Sequence, residues 1–264
     1  MMSAKFIYST PATHLATADM IIRIGVLLSL IAAVFGDDGS KDVIMTPIEG
    51  TEGDAVALIF APGAGLDPQS YIPLATSIQQ SLASVKKSLY VGIPHVPLDV
   101  AALGLENAVK RVAGELLDAG LPESFSTLYG GHSLGGAMIP LLVNDPSKLP
   151  AGFDEPAGMI LMGAFLVRDF KTEAVPEVGP GQYSFPTCPV LTIGGEMDGL
   201  CRITRVAEAY HTQIDMSTDA VSARQTLPVT VIEGMSHMQF SSGDIPKFVE
   251  VRCFILLFHS IRLI

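Results

Sequence analysis

Gly131-His132-Ser133-Leu134-Gly135, followed by Gly136, is the stretch on which the fold turns. It has the form Gly-x-Ser-x-Gly and lies between an apolar, strand-like run at 125–129 and a helix-like run at 134–143. Such a pattern fits a sharp strand-to-helix turn that lifts a serine above a sheet, with its Oγ free to attack a carbonyl. Glycines two residues to either side are expected, because a Cβ there would collide with the neighbouring strand or helix. Five residues recur by chance in a glycine-rich chain, so the flanking pattern carries the weight.

That pattern is alternation. Apolar, strand-like runs fall at 43–47, 55–61, 88–93, 125–129, 159–165, 190–194 and 229–232. Helical spacing of apolar residues marks 70–82, 100–117, 134–143 and 203–212. Strands alternating with helices imply an α/β protein, a mostly parallel central sheet covered on both faces. With no internal repeat and no interdomain linker, residues 37–264 read as one domain, long enough for a large core. A composition that is 48% hydrophobic and 16% charged is that of a globular chain. The net charge is −11 and no Lys/Arg cluster occurs, which argues against a nucleic-acid partner, since phosphate binding needs a basic face.

The N-terminal extension, 1–36, reads as a signal peptide. Arg23 precedes the apolar run 24–35 (IGVLLSLIAAVF), small residues Ala33 and Gly36 sit near its end, and Asp37-Asp38 closes it. A span needs about 20 apolar residues, so no stable membrane span is expected, and the destination is the secretory route. A first core helix, or an organellar address, are the other readings. At the far end, the tail 251–264 (VRCFILLFHSIRLI) is apolar with almost no polar face. It is either a terminal element buried on the sheet or an altered terminus. Three cysteines make no disulfide framework. Cys188 and Cys201 flank the strand at 190–194, whose ends lie about 16 Å apart, beyond disulfide reach. These two and Cys253 read as free thiols.

A serine hydroxyl is a weak nucleophile at neutral pH, so Ser133 needs a base to take its proton and an acid to orient that base. On a parallel sheet such groups belong in the loops after later strands. The run 190–199 (VLTIGGEMDG) ends in a Gly-rich turn holding Asp198, with Glu196 as its nearest rival. The run 229–237 (VTVIEGMSH) ends in His237. Asp215 and Asp219 fall in a polar stretch read as a solvent-facing loop. His132 is tied to the serine turn, His95 sits in Pro94-His95-Val96-Pro97, and His259 lies in the tail. No His/Cys spacing suggests a metal site. Gly63-Ala64-Gly65 lacks the third glycine of a dinucleotide fingerprint, and no P-loop occurs, so neither cofactor nor metal is expected.

Four segments in order carry a family resemblance: 60–71 (FAPGAGLDPQSY), 130–138 (GGHSLGGAM), 191–200 (LTIGGEMDGL) and 234–240 (GMSHMQF). Over about 43–247 the chain resembles the α/β-hydrolases and is similar to their esterase, lipase, dienelactone-hydrolase-like and chlorophyllase-like members. The order Ser133…Asp198…His237 is the one such proteins use. The resemblance implies a serine hydrolase of carboxylic esters working through an acyl-enzyme. It also implies an oxyanion hole from the N–H groups of Leu134 and Ala64, with Gly65 as the alternative to Ala64. Where many relatives have His-Gly, this chain has Pro62-Gly63. The connection 167–188 is too short for a large lid, so a minimal cap and an apolar or bulky, lipid-like ester are expected. Met138, Met162, Met197, Met235 and Met238 lie near the motifs, as core or as a soft acyl pocket. An acyltransferase on the same triad, or a ligand-binding protein without turnover, are the alternatives of a different class.

Overall fold

The computed structural model describes residues 41–166, 188–216 and 219–243. Seven strands form one sheet: β1 (Val43–Met45), β2 (Asp54–Ala61), β3 (Lys87–Ile93), β4 (Phe125–His132), β5 (Pro156–Met162), β6 (Val190–Gly195) and β7 (Val229–Ile232). Their order is β1-β3-β2-β4-β5-β6-β7. Only β1 runs antiparallel to its neighbour, β3; the remaining pairs are parallel. The expected α/β class and mostly parallel sheet are therefore what the chain adopts.

β2 shows why it sits in the middle. Of its eight residues only Asp54 is exposed, as a strand covered on both faces requires. Ala55, Ala57, Ile59 and Ala61 point into one apolar cluster, and Val56, Leu58 and Phe60 into the other. Helix α1 (Ile72–Ala83) covers the second face through Ala75, with Leu74, Ile78 and Leu82 against it. Helices α2 (Leu105–Asp118) and α3 (Ser133–Val143) cover the first with Val112, Leu116, Ile139 and Val143.

The order has one reversal. After β2 the chain steps to β3 on one side, then crosses to β4 on the other and continues outward to β7. In open α/β sheets the crevice for a ligand opens at such a point, beyond the carboxyl ends of the strands. The register brings those ends level: Ala61 lies opposite Gly131, His132 opposite Met162, Met162 opposite Ile193 and Gly195 opposite Ile232.

Several boundaries differ from the periodicity. β5 begins at Pro156 and stops at Met162, because Gly163, at φ +52°, turns the chain out of the sheet. The helix expected over 100–117 begins only at Leu105, after short 3₁₀ turns at Pro97–Asp99 and Ala101–Leu103. Between 70 and 82, a 3₁₀ turn at Pro68–Tyr71, capped by the Asp67 carboxylate, precedes α1. The loop expected around Asp215 and Asp219 is largely helix. Asp215 lies in the last turn of α4 (Ile203–Met216), beside His211, and Asp219 caps α5 (Ala220–Thr226) by accepting from Val221 and Ser222 N–H. Both do face solvent.

Cys188 and Cys201 are buried free thiols. The apolar run 24–35, the connection 167–187, Cys253, His259 and the tail 251–264 lie outside the described residues. Among the described residues no helix is long and apolar enough to cross a membrane. Leu161, fully buried near the carboxyl end of β5, packs into the first cluster. Leu161→Ala should lower unfolding free energy by about 2–5 kcal/mol in a urea titration, through lost burial and an unfilled cavity.

Candidate active site

β4 ends at His132 and α3 begins at Ser133, with no loop between them. The turn is possible only without side chains on its inner faces. A Cβ on Gly131 would lie 2.6 Å from the Gly135 carbonyl carbon, and one on Gly135 would lie 2.3 Å from the Ala61 and Pro62 oxygens. Ser133 itself is left-handed, at φ +52°. That conformation costs an L-residue about 1–2 kcal/mol, and the packing around the turn holds it there.

Ser133 Oγ lies 2.8 Å from His237 Nε2, and His237 Nδ1 lies 2.7 Å from Asp198 Oδ2. An ionised carboxylate only accepts, so Nδ1 carries the ring proton and donates to Asp198. Nε2 is then bare and accepts from the serine hydroxyl. Asp198 is buried and its other oxygen accepts from the N–H groups of Leu200 and Cys201, 2.9 and 2.7 Å away. Its rival Glu196 is exposed and accepts instead from Gly234 N–H at 2.9 Å. The two loops are stitched together: Glu196 N–H donates to Ile232 O and Met197 N–H to Met235 O. His237 opens a 3₁₀ turn (His237–Phe240) closed by a capping box between Ser236 and Gln239, which steadies its backbone.

The loop after β2 is tied on both sides of Ala64. Gly63 N–H donates to the Tyr71 hydroxyl at 2.8 Å, and Gly65 N–H donates to Asp99 O at 2.9 Å. Asp99 is left-handed, at φ +51°, in the 3₁₀ turn that displaces the start of α2. With Gly65 committed, the N–H of the half-buried Ala64, between the two tied glycines, meets no acceptor among the described residues. Leu134 N–H lies in the first turn of α3, where no intrahelical acceptor exists and the helix end favours negative charge.

Three contributors carried little or no signal. His132 is fully buried, with Nδ1 2.8 Å from the Tyr71 hydroxyl and Nε2 3.0 Å from the His237 carbonyl oxygen. Its pKa is pushed down to about 3, by burial and then by the neighbouring His237 imidazole, so the ring is neutral. Burial pushes the Tyr71 phenol up, so its proton stays on. Gly163 lets both imidazoles close over it: a Cβ there would meet His237 Nδ1 at 3.1 Å and His132 Cδ2 at 3.3 Å. Tyr71 lies inside a segment already singled out, yet nothing in local spacing ties it to position 132. A glycine at the end of β5 is the one signal for Gly163.

The five methionines do not form one lining. Met138 packs on the first face of the sheet, Met162, Met235 and Met238 on the second, and Met197 is 67% exposed. Among the described residues no group of three His, Cys, Asp or Glu side chains is placed to hold a metal ion.

A family model described as the alpha/beta hydrolase family matches residues 57–245. Curated proteins give no match. Among solved structures, esterase 2 of Thermogutta terrifontis with butyrate bound is 15% identical, over 83% of this chain and 87% of that one, at a TM-score of 0.48. The same esterase phosphonylated by sarin is 14% identical over 79% and 85%, at 0.47. Esterase PE8 is 19% identical over 83% and 98%, at 0.45.

The left-handed backbone at Ser133 ranks two variants that both lack the hydroxyl. Ser133→Gly should be about 1 kcal/mol more stable than Ser133→Ala in urea unfolding, because only glycine occupies that conformation without strain. Acid should weaken the fold through His132. Unfolding restores its ordinary pKa of 6.5 from a folded value near 3. The unfolded chain therefore binds the extra proton, and stability present above pH 6.5 is lost as pH falls toward 3. The loss reaches about 1.4 kcal/mol per pH unit, and unfolding titrations between pH 7 and 4.5 should show a flatter limb in His132→Asn.

Proposed function

Because the chain belongs to the alpha/beta hydrolase family, we propose that it is a serine hydrolase of carboxylic esters acting through an acyl-enzyme on Ser133. The observation that carries this is the unbroken hydrogen-bonded series Asp198–His237–Ser133, at 2.7 and 2.8 Å. Ser133 Oγ bonds to the ester carbon as His237 Nε2 takes the hydroxyl proton. The carbonyl electron pair moves onto oxygen, which accepts from Ala64 and Leu134 N–H. Each such donor is worth roughly 3–4 kcal/mol to the transition state. Asp198 holds the imidazole tautomer and stabilises the imidazolium. As the intermediate collapses, Nε2 hands its proton to the departing alcohol oxygen. Water then attacks the acyl carbon, giving its proton to Nε2, and release of the acid returns that proton to Ser133.

Apolar or bulky, lipid-like esters are the substrates we favour, on the strength of the short 167–188 connection. Passage through the secretory route belongs to the same proposal, on the strength of Arg23 and the run 24–35.

The full-length protein should react with a fluorophosphonate probe, and Ser133→Ala should lose both labelling and about a millionfold in ester turnover. Labelling that persists in Ser133→Ala removes Ser133 from the mechanism. In the wild type, a panel of esters should peak on apolar acyl groups, and added alcohol should not divert the acyl group from water.

A further inference from the structure

Resting on that reading of the site, we infer that Tyr71 and His132 are positioning residues, forming a buried relay that sets the oxyanion loop and the histidine loop against each other. Every hydrogen bond in the relay has one possible direction. The His237 carbonyl can only accept, so His132 donates to it from Nε2. A neutral imidazole carries one N–H, so His132 Nδ1 is bare and accepts from the Tyr71 hydroxyl. The tyrosine proton is thereby used, and its oxygen takes Gly63 N–H. The sequence Gly63 N–H to Tyr71 O–H to His132, and His132 N–H to His237 C=O, joins loops 174 residues apart by their numbering.

The relay lies out of solvent: Tyr71 is 1% exposed, His132 0% and His237 6%. Removing one member strands its neighbours without water to replace it. Its two ends matter for the chemistry. At one end, Tyr71 and the Asp99 carbonyl grip Gly63 and Gly65, and so aim the Ala64 N–H that lies between them. At the other, His132 holds the backbone from which the His237 imidazole reaches Ser133. The phenol ring also packs against Phe60 and His132, with centroids 5.2 and 5.9 Å away. Phenylalanine would retain that packing and lose only the hydroxyl.

Tyr71→Phe in the full chain, normalised to active sites titrated with fluorophosphonate, isolates the relay. On the ester that the wild type turns over fastest, kcat should fall about 10–100-fold while KM stays within about twofold, since oxyanion donors act on the transition state. An unchanged kcat, or a rise in KM alone, overturns the relay while leaving the triad reading intact. A wild type that neither labels nor turns over any ester overturns both. Should Tyr71→Phe fail to fold, imidazole ¹⁵N spectra of the wild type decide: His132 should show an N–H-type Nε2 and a bare, hydrogen-bonded Nδ1 near neutral pH. The reverse tautomer, or a doubly protonated ring, overturns the relay.

Discussion

Between Ser133 Oγ and the imidazole of His237 lie 2.8 Å, in a hydrogen bond that joins residues 104 positions apart. No local preference can make such a contact. It exists because β4 and β7 deliver their carboxyl ends to the same edge of one parallel sheet, with β5 and β6 between them at matched register. A slip of one residue in any of these pairings would turn the side chains that follow toward the opposite face. The apolar clusters on both faces make that slip costly for β4, β5 and β6, whereas β7, exposed over Thr230–Ile232, is held by its pairing with β6 and by the Glu196 and Met197 N–H groups.

The site is also a layer of buried polar groups above an apolar interior, and such a layer is stable only when its members are satisfied. Asp198 meets that demand with one oxygen on His237 and the other on two backbone N–H groups. His132 meets it with a phenol on one side and a carbonyl on the other. Two backbone N–H groups stand apart from this rule, those of Ala64 and Leu134. Neither meets an acceptor among the described residues, which is what the proposed ester chemistry asks of them. Of the three described non-glycine residues with left-handed backbone, Ser133 and Asp99 serve the turn that carries the serine and the loop beside it, while Lys86 lies in the turn before β3.

Much of this was legible in the chain. Gly131 and Gly135 announced the close approach that a Cβ would block, because that approach is local and its residues are neighbours in sequence. The unbroken apolar character of 55–61 announced a strand buried on both faces. Asp198 and His237 were legible because strand-like runs end just before them, and a parallel sheet brings strand ends together. Tyr71 was not, since its partners Gly63 and His132 share no periodicity with it. The start of α2 differs because apolar spacing runs on through 100–104, while the Asp99 carbonyl is taken up by Gly65 in the loop after β2. The helix at 220–226 was missed because seven polar-rich residues carry too little amphipathic signal.

The sequence alone determined the α/β class and the turn at the serine, because each depends on residues close together in the chain, and the order of the candidate groups, because order belongs to the chain itself. Tertiary structure decided which of two acids faces the histidine, giving Asp198 to His237 and Glu196 to the Gly234 backbone. It decided that Gly65 is spent on Asp99 and that Ala64 is not. It also decided the direction of every proton around His132. These choices turn on distances of a few tenths of an ångström between distant segments, and only a packed core sets distances that finely.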